Sequence, residues 1–195
     1  MTVRTWMDDG TELFLGTLAA IGDGDLDRPT ALPGWTGRHL VAHVHYNALA
    51  LLRLTRWAAT GQESRMYAST GQRSSEIEEG ATRPAAELRD LVQRSAADLE
   101  AALDGLPDKA WHASVVTAQG RTVPATEIPW MRAREVWIHA IDLGAGVTFD
   151  DLPPAFVADL LADVVRKRAG GGEGPGLAAW LTGRTPQPPQ LGAWL

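Results

Sequence analysis

The chain has 195 residues, a formal net charge of −6 at pH 7 and no cysteine. That length is enough for one domain with a hydrophobic core, or for one domain with a small appendage. Without cysteine the chain forms no disulfide, Fe–S cluster, cysteine-based zinc site or cysteine nucleophile, and its acidic balance argues against nucleic-acid binding, which needs clustered positive charge.

Apolar residues at helical spacing predict two long helices in the first part of the chain. The first spans about residues 4–21, and the second spans about residues 37–60, with Thr36 as its N-cap. The polar residues 62–82 predict a long connection with one helical turn near residues 75–79. Because structureless loops of this length are uncommon, we expect this one to be functional or partly ordered.

The same spacing predicts three further helices. They span about residues 82–104, 124–143 and 154–168, and an irregular or extended segment over residues 111–123 separates the first two. The glycine-rich residues 170–176 follow the last helix and are interpreted as a linker.

Four long helices with few convincing strands predict an all-α core, an antiparallel four-helix bundle. We expect this bundle over residues 1–150 and a small α or α+β appendage over residues 151–195. No segment has the length of a membrane span, and the first residues lack the order of a secretion signal. We therefore expect a cytoplasmic protein without a membrane partner, and a monomer is the default expectation.

Glu135 and His139 lie four residues apart on the predicted fourth helix, which places both side chains on one face. A carboxylate and an imidazole at this spacing can bind the same divalent ion. Their neighbours Val136, Trp137 and Ile138 are apolar, so the segment is expected to be buried, and a buried carboxylate needs a partner. A hydrogen-bonded Glu–His pair without metal is the alternative interpretation.

The second helix offers His39 and His43, again four residues apart, and His45 roughly on the other side. An imidazole that faced Glu135 and His139 would complete a three-ligand site, which suits zinc and leaves one position open for water or substrate. The spacing alone does not decide between His39 and His43. A capped or hydrogen-bonded side chain without metal is the alternative for either histidine.

Three segments carry a resemblance to a known family. They are LPGWTGRHLVAHVHYNA at residues 32–48, TAQGRTVP at residues 117–124 and WMRAREVWIHAIDLG at residues 130–144. Together they resemble the mycothiol-dependent maleylpyruvate isomerases, which belong to the DinB-like metal-binding four-helix-bundle superfamily. The resemblance covers about residues 5–170 and implies the DinB-like fold.

The resemblance also implies a site and a reaction. The family's zinc ligands fall on His43, Glu135 and His139, which selects His43 over His39. The implied reaction is the cis–trans isomerisation of maleylpyruvate to fumarylpyruvate in gentisate breakdown, with the thiol mycothiol as cofactor. The family carries a catalytic arginine in its C-terminal domain, and the matching position here is Arg184.

The C-terminal region departs from the family pattern. Where the family has strands between its fifth helix and its arginine-bearing helix, this chain has the glycine-rich residues 170–176. We therefore expect a shortened appendage. This difference affects the assignment of Arg184 and of the thiol pocket. It does not affect the expected bundle and its zinc site.

These residue types suit thiol-assisted isomerisation. Addition of a thiolate to the conjugated cis double bond gives a single bond that can rotate, and expulsion of the thiolate leaves the trans isomer. Zinc would lower the pKa of the thiol or polarise a carbonyl, and the Arg184 guanidinium would bind a substrate carboxylate. Asp142 is a candidate acceptor for the His139 imidazole, although a solvent-facing or capping role is more common for an aspartate.

Other functions are compatible with the same residues. A mycothiol S-transferase on this fold would use the zinc to activate a thiol that is then consumed. A non-catalytic zinc-binding regulatory bundle would bind a stable protein partner and show no thiol-dependent turnover. A bundle without any metal is the simplest alternative.

Overall fold

A computed structural model describes residues 2–69 and 71–192, which divide into two units after Thr148. The helices of the first unit are α1 (Val3–Ala20), α2 (Gly37–Thr60), α3 (Gln72–Ala81), α4 (Ala85–Asp104) and α5 (Ile128–Asp142). Two short strands, β1 (Ser114–Val116) and β2 (Thr122–Pro124), lie between α4 and α5. None of the described helices combines the length and apolarity needed to cross a bilayer.

The long helices α1, α2, α4 and α5 form a bundle, which confirms the predicted fold class. α1 packs mainly along α5, and α2 packs against both α4 and α5. Their inward faces bury large apolar side chains such as Phe14, Leu51, Leu99 and Ile128. The bundle therefore presents its α2 and α5 faces to each other, and side chains on these faces can meet.

Local signals explain why α2 has the bounds that the sequence predicts. Its N-cap Thr36 has extended backbone angles, and the Thr36 N–H donates to His39 Nδ1 at 3.2 Å. At the other end Gly61 has a φ of +73°, and its N–H donates to the Trp57 carbonyl at 2.8 Å. The left-handed conformation after the last turn favours glycine, so the helix ends there.

α1 and α5 approach each other most closely at Gly10. A Cβ at this position would lie 2.6 Å from Trp137 Nε1 and 2.8 Å from Val136 Cγ2. The Trp137 indole is fixed at this place because Nε1 donates to the Trp6 carbonyl at 2.8 Å. The glycine is therefore required by the helix crossing rather than by a turn.

The polar connection after α2 is more ordered than predicted. It contains the ten-residue helix α3 in place of a single helical turn. Ile77 is buried, and a Cβ at Gly80 would lie 2.8 Å from the Ala42 Cβ, so α3 lies directly on α2. An isolated helix of this length is marginal in water, and packing against α2 stabilises it.

The segment predicted to be irregular or extended forms a small antiparallel hairpin. Val115 of β1 pairs with Val123 of β2, and both side chains are buried. The turn contains Gly120 with a φ of +76°. A 3₁₀ turn, Ala125–Glu127, then leads into α5, which therefore begins about four residues later than predicted.

The second unit contains α6 (Pro154–Arg168) and α7 (Gly174–Leu181), and the described residues 149–192 include no strand. α6 has the predicted bounds. The interpretation of residues 170–176 as a linker is wrong, because helical turns continue over Ala169–Glu173 with a kink at Gly172, whose φ is +94°. A positive φ is readily adopted by glycine, which lets the chain change direction between the two helices.

Two glycines of α1 provide a test of the close crossing. Gly10→Ala should lower the free energy of unfolding by about 1–3 kcal/mol, because the new methyl group overlaps Trp137 and Val136. Gly16 is exposed, and a Cβ placed on it would have no atom within 4 Å. Gly16→Ala should therefore raise the free energy of unfolding by about 0.5–1 kcal/mol, because alanine has the higher helix propensity. Urea unfolding measures the free energy of unfolding of both variants. Equal effects of the two substitutions would contradict the close approach of α1 and α5 at Gly10.

Candidate metal centre

Three side chains from two helices converge inside the first unit. His43 of α2 and the pair Glu135 and His139 of α5 bring their ligand atoms within 4.8 Å of one another. Glu135 Oε2 lies 2.8 Å from His43 Nε2 and 3.3 Å from His139 Nε2. Tetrahedral zinc with bonds of ~2.0–2.1 Å holds its ligands ~3.4 Å apart, so the observed spacing is close to that of a zinc site.

The state of the His139 ring supports the assignment of this group as a metal site. His139 Nε2 is buried and makes no hydrogen bond of good geometry, although Glu135 Oε2 lies 3.3 Å away. Buried polar atoms are normally paired, and an orphaned ring nitrogen that faces two other ligand atoms needs an explanation. A divalent cation would supply the missing partner, and the set of two imidazoles and one carboxylate suits zinc.

The three histidines of α2 have different partners, which separates the two candidates left open by their spacing. His39 accepts from the Thr36 N–H at the helix N-terminus and lies 3.5 Å from Glu78. His45 faces α4, where its Nδ1 lies 2.9 Å from Ser95 Oγ and 3.1 Å from the Leu91 carbonyl. Only His43 reaches the α5 ligands.

Asp142 contacts the His139 ring nitrogen that faces away from Glu135, as expected for the candidate acceptor named from the sequence. Its Oδ2 lies 2.8 Å from His139 Nδ1, so the ring donates from Nδ1 to the carboxylate. This contact fixes the ring orientation and directs Nε2 toward Glu135. Carboxylates in this position orient metal-ligating histidines in many proteins.

Burial and charge act in opposite directions on the three titratable groups. Burial lowers the pKa of His43 more than Glu135 raises it, so this ring is neutral. Burial would also lower the pKa of His139, but Asp142 and Glu135 raise it to about 9. Burial would raise the pKa of Glu135, but the adjacent His139 and His43 imidazoles hold it well below its usual value.

Two side chains beside the centre were not identified by the sequence analysis. The Trp35 ring lies 5.3 Å from the His43 ring, centroid to centroid, and the Arg73 guanidinium lies 5.9 Å from the centre of the Trp35 ring. Arg73 Nη2 is 3.5 Å from His43 Nδ1. Arg73 lies on α3 four residues before the buried Ile77, and this spacing is the signal that could have placed it on the inward face.

Arg184 lies in the second unit, just beyond the end of α7. Its side chain is exposed, its guanidinium donates to the Thr182 carbonyl, and its backbone N–H donates to the Ala179 carbonyl at 2.7 Å. Gly183, with a φ of +73°, forms the turn that ends the helix. The predicted catalytic role of Arg184 stays a prediction.

Comparison with known proteins identifies the family. The model of the mycothiol maleylpyruvate isomerase N-terminal domain matches residues 7–144. The chain belongs to this family. The crystal structure of the mycothiol-dependent maleylpyruvate isomerase shares 44% sequence identity with it at a TM-score of 0.82, over 84% of this chain and 68% of that one. The resemblance stated from the sequence is therefore confirmed.

Two further structures extend the comparison. A mutant of the isomerase with one histidine replaced by alanine gives the same identity, coverage and TM-score. YfiT from Bacillus subtilis, a probable metal-dependent hydrolase with an unusual four-helix bundle topology, shares 16% identity at a TM-score of 0.55, over 73% of this chain and 81% of that one. The likeness to YfiT shows the fold alone. No curated protein sequence matches the chain.

A pair of histidine variants tests the ligand assignment in this member of the isomerase family. Wild-type protein should contain about one zinc ion per chain, and His43→Ala should lose it because two protein ligands remain. His39→Ala removes a capping side chain on the same helix and should keep the zinc. Elemental analysis after dialysis measures both, and a fully loaded His43→Ala protein would contradict the assignment.

Proposed function

We propose that the protein catalyses the mycothiol-dependent cis–trans isomerisation of maleylpyruvate to fumarylpyruvate in gentisate breakdown. In this proposal a zinc ion is bound by His43, Glu135 and His139, and the protein works in the cytoplasm on small molecules. The observation that carries it is the convergence of these three ligand atoms in a chain that shares 44% identity with the mycothiol-dependent maleylpyruvate isomerase.

The ligand set explains what a bound cation would do. Two imidazoles and one carboxylate leave a position of the metal open, as in catalytic rather than structural zinc sites. Zinc held there supplies Lewis acidity, which lowers the pKa of a thiol or polarises a carbonyl oxygen. The chain contains no cysteine, so the sulfur that this chemistry needs has to come from a separate thiol molecule.

The protein's own residues hold and orient this site. Asp142 accepts from His139 Nδ1 and so keeps the other ring nitrogen free for the metal. His43 is fixed against the Trp35 ring on one side and the His139 ring on the other, with ring centroids 5.3 and 4.9 Å apart. Both histidines are buried, whereas the Glu135 side chain is 14% exposed, so solvent reaches the centre on the glutamate side.

Arg184 is proposed to bind a substrate carboxylate. Maleylpyruvate carries a carboxylate at each end, and a guanidinium can form two parallel hydrogen bonds with such a group. The exposed side chain of Arg184 is bonded only to a neighbouring carbonyl among the described residues, so its other donors are available. This role rests on the match of its position to the family pattern.

The decisive experiment follows maleylpyruvate isomerisation by the zinc-loaded chain with and without mycothiol. We expect turnover that requires a catalytic amount of thiol and that stops when a chelator removes the metal. Stoichiometric consumption of the thiol with an electrophile would instead identify a mycothiol S-transferase. No thiol-dependent turnover, together with a stably bound protein partner, would identify a regulatory bundle and contradict the proposal.

The role of Arg184 has its own test. Arg184→Ala should keep the bound zinc, because the metal ligands all lie in the first unit, but it should lose most of the turnover. Arg166→Ala, which removes another exposed guanidinium of the second unit, is the matched control and should behave like wild type. Steady-state kinetics and metal content are measured for all three proteins. Unchanged turnover in Arg184→Ala would show that the position is misassigned.

A further inference from the structure

A guanidinium lies beside the candidate metal centre without a carboxylate partner. Arg73 is half-buried, stacks on Trp35 and approaches His43 Nδ1 to 3.5 Å, and within residues 2–69 and 71–192 it forms no ion pair. Glu76, three residues further along α3, contacts Arg53 and Gln72 through Oε1 at 3.7 and 2.7 Å, and its buried Oε2 forms no hydrogen bond with Arg73. A half-buried cation of this kind favours an anionic partner, which residues 2–69 and 71–192 do not supply.

The His43 ring adds a second donor at the same place once a metal is bound. In the metal-free ring Nε2 donates to ionised Glu135, and the Nδ1 lone pair faces Arg73. A metal on Nε2 uses that nitrogen's lone pair, so the ring proton then has to be on Nδ1. An N–H of His43 and an N–H of Arg73 would then face each other, and neither can accept from the other.

The two candidate ligand histidines differ in the hydrogen-bond acceptor available to the Nδ1 proton. His139 has Asp142 as its acceptor at 2.8 Å. For His43, the part of the chain that the structure describes offers no carbonyl or carboxylate oxygen within hydrogen-bond distance of Nδ1. Metal-ligating histidines almost always donate this proton to an acceptor. The missing acceptor therefore has to come from outside the described residues.

We infer that Arg73 and the His43 Nδ1–H together bind one carboxylate of the ligand, which makes Arg73 the carboxylate-binding residue of the metal centre. A carboxylate oxygen accepts from both donors and neutralises the guanidinium charge. The identity of the ligand as a dicarboxylate rests on the proposed function, and the His43 Nδ1 donor rests on a metal at Nε2. The position of Arg73 beside His43 Nδ1 rests on the structure.

The position of Arg73 is fixed by packing. Ile77 and Gly80 hold α3 against α2, and the Trp35 ring lies under the guanidinium. A cation that is stacked and half-buried loses less conformational freedom when it binds an anion than a free surface arginine does. Arg73 is therefore preorganised for a flat, two-oxygen partner.

Isothermal titration calorimetry on the zinc-loaded full chain tests this inference. The probes are succinate, a dicarboxylate that cannot isomerise, and succinamide, its neutral counterpart. Wild-type protein should bind succinate and should not bind succinamide. Arg73→Met should weaken succinate binding roughly ten- to a hundredfold, as expected for the loss of charged hydrogen bonds. Arg73→Lys should retain part of the affinity, because it keeps the charge but not the paired geometry.

The matched control is Arg56→Met, which removes an exposed guanidinium of α2 about 20 Å along the helix from His43. It should leave succinate binding unchanged. Zinc content and melting temperature are measured for every variant, so that an unfolded protein is recognised, and Arg73→Lys keeps the test informative if Arg73→Met does not fold. Equal succinate affinity in wild type and Arg73→Met, or equal binding of succinate and succinamide, would overturn the inference.

The same variants separate this inference from the proposed function. If the wild type binds succinate through Arg73 but shows no isomerase turnover, the carboxylate site stands and the proposed function fails. If Arg73→Met isomerises maleylpyruvate with an unchanged KM, the proposed function stands and the inference is overturned. A raised KM together with a retained zinc ion supports both.

Discussion

The carboxylate of Glu135, which is 14% exposed, is the group on which the rest of this centre depends. It lies between two imidazoles, and their effect on its pKa outweighs that of burial. An ionised carboxylate in such a place needs a matching positive charge nearby. In the metal-free protein that charge is the proton on His139, whose pKa is raised to about 9. A divalent cation bound there would displace this proton and raise the net charge of the centre by one unit.

A second charged side chain, which is buried, fixes the position of α5 relative to α2. Arg132 of α5 is 1% exposed, and its Nη1 donates to the Val44 carbonyl at 2.8 Å and to Asn47 Oδ1 at 3.0 Å. Burial lowers its pKa to about 10, which still leaves the group charged at neutral pH. Arg132 lies three positions before Glu135 on α5. The contact that aligns α5 with α2 is therefore about one helical turn from the candidate metal ligands. The ligand geometry is therefore fixed by the bundle itself.

The parts of the site that depend on local spacing could be predicted, and the parts that depend on packing could not. Glu135 and His139 were identifiable because a separation of four residues places them on one helix face. The choice between His39 and His43 could not be made from spacing, since it depends on the capping contact of His39 with Thr36. Arg73 was missed because its segment is polar, and its helix exists only through contact with α2.

The chain has no cysteine, and Arg73 has no ion pair within the described residues, so a thiol and an anion are what this centre would obtain from its ligands. No thiolate of the chain can occupy the open metal position, so in the proposed reaction that position is free for an external thiol. In that reaction positive charge would come from a cation at the three candidate ligands and from Arg73 on α3. Since Arg73 and the metal ligands all lie within the first unit, recognition of one carboxylate requires only the bundle. In the proposed reaction, Arg184 would then act on the second carboxylate or in the chemical step.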